Sequence, residues 1–112
     1  MRDHTKFRAF ELADEIVLKL YRITKRFPRE EIYGLTSQIR KSAVSVASNI
    51  VEGCARGSRA DYLRFLEIAF GSLRELHYQF RLSCRLGYVG KEEDTDCEYK
   101  LCEAEKVLAG LI

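Results

Sequence analysis

The amino-acid sequence predicts an all-α protein, an antiparallel up-and-down four-helix bundle that forms one domain over residues 1–112. Apolar residues recur at spacings of three and four in four separate segments, which is the period of an amphipathic helix. No segment shows sustained alternation of apolar and polar residues, and the connections between segments are short. We therefore expect four helices near residues 6–27, 33–53, 59–87 and 92–112.

The first two helices are separated by the single proline. The apolar seam of the first is Phe10, Ala13, Val17, Leu20, Thr24 and Phe27. Pro28 ends this helix, because the residue before a proline avoids helical geometry. The core seam of the second helix is Leu35, Ile39, Ala43, Val46 and Ile50. Gly53 is expected to end it in a left-handed conformation.

The third helix has the clearest start signal, since Ser58 is a good N-cap with Asp61 three residues later. Its seam is Tyr62, Leu66, Ala69, Leu73, Leu76 and Phe80, and Gly87 closes it. The fourth helix follows the GYVG connection, with the seam Cys97, Leu101, Ala104, Leu108 and Leu111. Both segments therefore repeat the same helical period.

The second helix carries small and polar residues where a core helix usually has large ones. A polar stripe runs through Gln38, Ser42, Ser45, Asn49 and Glu52. We expect a structural polar network of Ser45, Asn49, Glu52 and Ser72 that fixes the register between helices. No nucleophile and base accompany it, and the Glu-x-x-His pairs of di-iron bundles are absent from the sequence. We therefore predict neither enzymatic activity nor a catalytic residue.

Apolar residues also lie outside the core seams of the second and third helices. They are Val44, Ala47, Val51, Ile68, Leu82 and Leu86. Two helices with apolar residues beyond one seam are better explained by subunit contacts than by scattered surface leucines. These six positions are the predicted interface of a homo-oligomer.

Composition favours a soluble protein, with 46% hydrophobic and 32% charged residues. No apolar run is long enough to span a bilayer, and the N-terminal segment lacks a signal-peptide core. We expect a cytoplasmic location. Four cysteines without a CxxC pair, and two histidines far from them in sequence, argue for reduced thiols and against a metal site. No cofactor is expected.

Charge is unevenly distributed along the chain. Residues 1–89 contain 16 Lys/Arg and 10 Asp/Glu, whereas residues 90–112 contain 3 and 7. The predicted nucleic-acid-binding residues are Arg40, Lys41, Arg56, Arg59, Arg74, Tyr78, Arg81 and Arg85, and further cations cluster at Arg22, Lys25, Arg26 and Arg29. Arginines interleaved with an aromatic residue can pair with phosphates and stack on bases. The alternative is an ordinary solvated face, partly paired with Glu67, Glu75 and the acidic tail.

Two stretches, LTSQIRKSAVSVASNIVEGCARGS and FLEIAFGSLREL, carry a family resemblance. Together with FPREEIYGL upstream, they resemble the four-helix bundle proteins encoded in intervening sequences of bacterial 23S rRNA genes. The resemblance covers about residues 7–112. It departs from the usual pattern at Val51 and Ala47.

The resemblance implies an up-and-down bundle, and related proteins assemble as rings of five with a basic surface. One branch resembles the accessory protein of diversity-generating retroelements, which binds nucleic acid and works with a reverse transcriptase. The leading hypothesis is thus an oligomeric accessory protein that binds RNA or DNA. The alternative is a scaffold whose basic face docks an acidic partner or a reverse transcriptase.

Overall fold

The computed structural model describes residues 2–112, which form four long helices and no strand. The helices are α1 (Arg8–Thr24), α2 (Leu35–Cys54), α3 (Arg59–Arg85) and α4 (Lys91–Leu111), and short 3₁₀ turns occupy His4–Lys6 and Arg29–Glu31. Each helix contacts the next along the chain, and α1 also contacts α4. The predicted all-α fold class and helical bundle are confirmed. Within the described residues, no helix is long and apolar enough to cross a membrane.

In α2, α3 and α4 the core is built largely by the seams that the periodicity indicates. In α3, the seam residues from Tyr62 to Phe80 are all buried, and in α4 the residues Cys97, Leu101, Ala104 and Leu108 are buried. Each fully buried leucine contributes about 1.5–3 kcal/mol relative to an exposed one. The predicted seam of α1 is partly wrong, because Phe10 and Val17 are half-buried whereas Leu12, Ile16 and Ile23 are buried in the core. The last residue of the α4 seam, Leu111, is also half-buried.

The ends of α2 and α3 are fixed by specific hydrogen bonds. Glu31 Oε1 accepts from the Leu35 backbone N–H at 3.0 Å, and Ser58 Oγ accepts from the Asp61 backbone N–H at 3.1 Å. At the other end of α3, Gly87 has φ of 83°, and its N–H donates to the Cys84 carbonyl at 3.0 Å. This left-handed residue closes the helix as the sequence indicates.

Gly53 does not end α2 in a left-handed conformation. The helix continues to Cys54, its C-cap Ala55 is right-handed, and Gly87 is the one residue with positive φ among residues 2–112. Gly53 is buried against α3, where an added Cβ would lie 3.1 Å from Phe65 Cβ and 3.2 Å from the Tyr62 carbonyl oxygen. Glycine is present here because the two helices approach closely, and not because a turn is needed.

Candidate nucleic-acid interface

A basic surface lies where α1 ends and α2 begins. Two adjoining grooves there share Ile32, Thr36 and Arg40 in their walls. We call this surface the α1–α2 basic groove. Its cationic residues are Lys25, Arg29, Arg40 and Lys41, and its aromatic residues are Tyr21 and Phe27. Neither groove is lined by an acidic residue. The surface therefore presents positive charge without a carboxylate among its walls.

Arg40 is held in place by α1. Its Nε donates to Thr24 Oγ1 at 2.8 Å, and its Nη2 donates to the Tyr21 carbonyl oxygen at 3.3 Å. The guanidinium also lies 4.7 Å from the centre of the Tyr21 ring. These contacts fix the side chain and stack it on an aromatic ring, an arrangement that arginine favours because its guanidinium is planar.

The other cations of the groove remain free. Lys25, Arg29 and Lys41 are exposed, and none of them forms an ion pair within residues 2–112. The nearby carboxylate of Glu31 is used elsewhere, because Oε2 accepts from the Tyr88 hydroxyl at 2.9 Å while Oε1 caps α2. Three unpaired cations therefore surround the fixed guanidinium of Arg40.

The arginines of α3 have a different environment. We call Arg74, Tyr78, Arg81 and Arg85 the α3 arginine stripe. The first three line one groove together with His77, and Arg74 and Arg81 contact α4. Arg74 pairs with Glu105 at 3.0 Å, and Arg81 pairs with Asp94 at 2.5 Å and with Glu98 at 3.5 Å.

This pairing follows from the topology, because the acidic α4 packs beside α3 and brings its carboxylates to the stripe. The other two members of the stripe do not pair with a carboxylate of α4. Tyr78 is exposed, and Arg85 is exposed without an ion pair in the part of the chain described.

The remaining predicted cations lie at the opposite end of the bundle. Arg56 pairs with Glu52 at 3.3 Å, and its guanidinium lies 4.6 Å from the Phe65 ring centre. Arg59 is exposed at the first position of α3. The eight predicted nucleic-acid-binding residues are thus distributed over three surfaces, and only Arg40 and Lys41 belong to the α1–α2 basic groove.

The polar stripe of α2 is linked to α3 through serine. Ser45 Oγ and Ser72 Oγ are 2.8 Å apart, and Asn49 Nδ2 donates to the Ser45 carbonyl at 2.8 Å and to Ser45 Oγ at 3.1 Å. Ser45 makes the interhelical link, and Asn49 supports it from the next turn of its own helix. Glu52 is outside this network, since its carboxylate is exposed and pairs with Arg56.

The predicted oligomer positions differ in exposure. Val44 is 40% exposed, Ile68 41% and Leu86 50%, so each presents apolar area to solvent in the isolated chain. The other three, Ala47, Val51 and Leu82, are half-buried. The most accessible apolar side chains of the six therefore come from the middle of α2, the middle of α3 and the C-terminal end of α3.

One polar cluster was not foreseen. His77 Nδ1 lies 2.8 Å from Glu105 Oε2, and its Nε2 lies 2.8 Å from Glu98 Oε2, while Cys102 Sγ donates to the same Glu98 oxygen at 3.4 Å. Burial lowers the pKa of His77, but hydrogen bonds to Glu105 and Glu98 outweigh it and raise that pKa above its ordinary value.

The spacing of Glu98 and Cys102, one turn apart on α4, was the available signal for this cluster. Sequence reasoning set it aside because His77 is distant along the chain. Antiparallel packing of α3 and α4 removes that distance.

The four cysteines are free thiols. Burial raises the pKa of Cys97 to about 12 and that of Cys84 to about 11. Thiols with raised pKa values are poor nucleophiles near neutral pH, because the thiolate is the reactive form.

The family is decided by comparison with known proteins. A sequence model of the family described as 23S rRNA-intervening sequence protein matches residues 5–110. The chain belongs to this family. The resemblance carried by the two α2 and α3 stretches is thereby confirmed.

A solved structure shows the same fold in a relative. It is the 1.70 Å crystal structure of a Bacteroides thetaiotaomicron protein, described as being of unknown function and from the S23 ribosomal protein family. The two chains are 25% identical, the TM-score is 0.85, and the match covers 93% of this chain and 97% of the other. No curated protein matches this sequence.

Proposed function

We propose that this member of the 23S rRNA-intervening sequence protein family is a non-enzymatic, oligomeric accessory protein that binds RNA or DNA. The observation that carries the proposal is the α1–α2 basic groove, with three unpaired cations, a fixed arginine and no acidic residue in its walls. Cationic side chains that have no carboxylate partner can pair with phosphates without first breaking an ion pair.

The residues of the groove have separable roles in this proposal. Lys25, Arg29 and Lys41 neutralise phosphates, whereas Arg40 and Tyr21 form a preorganised stack against which an unpaired base can lie. None of these contacts reads a base edge in a duplex, so binding is expected to depend on charge and on unpaired bases more than on sequence.

Self-association would multiply the contribution of each groove. Val44 lines the groove and is exposed, so an interface that includes it would lie beside the groove of each protomer. The family resemblance favours a ring of five. Because counterion release adds up over all phosphate contacts, a ring would bind a polyanion far more tightly than one chain.

The direct experiment measures binding to a fluorescently labelled RNA hairpin and to a DNA duplex by anisotropy at increasing salt. The three phosphate contacts of Lys25, Arg29 and Lys41 give a log–log slope of about −2.7 on duplex DNA per engaged protomer. We expect saturable binding that weakens steeply with salt. Absence of binding at low salt would refute the proposal, and salt-sensitive binding to an acidic protein instead would favour the scaffold hypothesis.

A further inference from the structure

Metal-ligating side chains converge between α3 and α4, away from the α1–α2 basic groove. His77 comes from α3, and Glu98 and Cys102 lie one turn apart on α4. One donor atom from each residue lies within 4.8 Å of the other two. We propose that these three side chains form a binding site for a divalent metal ion of the zinc class, with Glu105 as the residue that positions His77.

The distances suit such an ion after small side-chain rotations. Tetrahedral zinc has ligand distances of about 2.0–2.3 Å, which puts neighbouring ligand atoms about 3.3–3.8 Å apart. His77 Nε2 and Glu98 Oε2 are 2.8 Å apart, and Glu98 Oε2 and Cys102 Sγ are 3.4 Å apart. All three donor atoms lie within 4.8 Å of one another, so small side-chain rotations would bring them to the separations of a zinc site.

Glu105 completes the arrangement from behind the imidazole. Its Oε2 lies 2.8 Å from His77 Nδ1 and 3.0 Å from Arg74 Nη1. With the proton on Nδ1 donated to Glu105, the lone pair of Nε2 faces Glu98 and Cys102. A carboxylate that orients a histidine ligand in this manner is typical of zinc sites, where it also makes the imidazole more basic.

Binding of a metal ion to the cluster would release protons. Both ring nitrogens of His77 lie 2.8 Å from a carboxylate oxygen, and the Cys102 thiol donates to Glu98 at 3.4 Å. A metal ligand must be a neutral imidazole or a thiolate, so a divalent ion would displace the thiol proton of Cys102 and any proton on His77 Nε2. Arg81, which contacts Glu98 at 3.5 Å, keeps its bond to Asp94.

The chemical types of the three ligand atoms determine which metal ions the site would bind. A nitrogen, a thiolate sulfur and one carboxylate are ligands of zinc and similar transition-metal ions, whereas calcium and magnesium require oxygen donors. Three protein ligands leave the fourth position to water. Glu98 is partly exposed, so the site is open to solvent on one side.

Cobalt(II) is the suitable probe, because it adopts the geometry of zinc and absorbs light. The untagged, reduced full chain should bind one Co²⁺ per protomer, with a thiolate-to-cobalt charge-transfer band that added Zn²⁺ abolishes. Cys102→Ser should remove that band and weaken binding at least about tenfold. Glu105→Gln should keep the band and weaken binding by about 10–100-fold, as expected of a positioning residue.

Matched controls separate this site from adventitious binding. Cys84→Ser and His4→Gln remove a thiol and an imidazole outside the cluster and should leave both the band and the affinity unchanged. Circular dichroism establishes that the variants are folded, and His77→Gln provides a second loss of a ligand. Absence of saturable binding, binding without the thiolate band, or a band that survives Cys102→Ser would each overturn the proposal.

Discussion

The close approach of α2 and α3 makes Gly53 a sensitive position for substitution. In Gly53→Ala, the new Cβ would meet Phe65 Cβ at 3.1 Å and the Tyr62 carbonyl oxygen at 3.2 Å. Both atoms are tied to the backbone of α3, so they can move only if the helices separate. Gly71→Ala is the matched control, because Gly71 is an exposed glycine within α3 and its added Cβ would have no neighbour within 4 Å.

The two substitutions are expected to change the free energy of unfolding in opposite directions. Replacing a helical glycine by alanine stabilises a helix by about 0.5–1 kcal/mol, and this is the whole effect expected at Gly71. At Gly53, overpacking adds a cost of about 1–3 kcal/mol. Gly53→Ala should therefore be less stable than the parent by up to about 2.5 kcal/mol, and Gly71→Ala more stable by about 0.5–1 kcal/mol.

Urea unfolding followed by far-ultraviolet circular dichroism measures both values. Protein concentration must be the same in all samples, because self-association would add to apparent stability. If the free energy of unfolding falls with urea concentration at the same slope in each variant, unfolding exposes the same surface area in all of them. If Gly53→Ala were as stable as Gly71→Ala, the α2–α3 contact would not be tight and the explanation for this glycine would be wrong.

Three further predictions concern the helix contacts and the assembly. A double-mutant cycle of Ser45→Ala and Ser72→Ala should give a coupling energy of about 0.5–1.5 kcal/mol in urea unfolding, because the two hydroxyls bond to each other, and zero coupling would contradict the interhelical link. A hydrogen bond from Lys19 lowers the pKa of Asp96 below its ordinary value of 3.8, so its contribution is present above that value and is lost as the pH falls through the folded pKa. Asp96→Asn should therefore lower the free energy of unfolding at neutral pH and have no effect in acid, where Asp96 of the parent is protonated. If the variant were still less stable than the parent in acid, the Lys19–Asp96 ion pair would not be the cause. Ile68→Glu should lower the mass measured by light scattering if the exposed apolar positions form the oligomer interface, and an unchanged oligomer would exclude Ile68 from it.

Local sequence patterns were sufficient to predict the helical fold. Helical periodicity located four helices and the buried faces of α2, α3 and α4, but it placed the buried face of α1 partly wrong. Ser58 begins α3 and Gly87 closes it, as the sequence indicates. Gly53 was misinterpreted because a glycine near the end of a helix satisfies two different needs. A left-handed turn and a close contact with another helix look the same in sequence, and only the position of Tyr62 and Phe65 distinguishes them.

The candidate site was less predictable, since pairing between helices depends on tertiary structure. The α3 arginine stripe is regular in sequence, yet Arg74 and Arg81 are paired with carboxylates of α4. Lys25 and Arg29 were noticed only as a charge cluster, and their proximity to Arg40 depends on how α1 and α2 pack. Periodicity assigns residues to faces of one helix, but it does not show which face meets an acidic neighbour.

The most direct test of the proposed function compares two triple variants that remove the same charge. The substitutions are Lys25→Gln, Arg29→Gln and Lys41→Gln in the α1–α2 basic groove, and Arg74→Gln, Arg81→Gln and Arg85→Gln in the α3 arginine stripe. The measurement is the salt dependence of binding to duplex DNA. The groove variant should lose about 0.9 units of log–log slope for each phosphate contact removed, or about 2.7 per engaged protomer.

The stripe variant should lose less than half as much slope, because two of its three arginines are already paired with Glu105, Asp94 and Glu98. Parent-like slopes in both variants, or a larger loss in the stripe variant, would contradict the assignment of nucleic-acid binding to the α1–α2 basic groove.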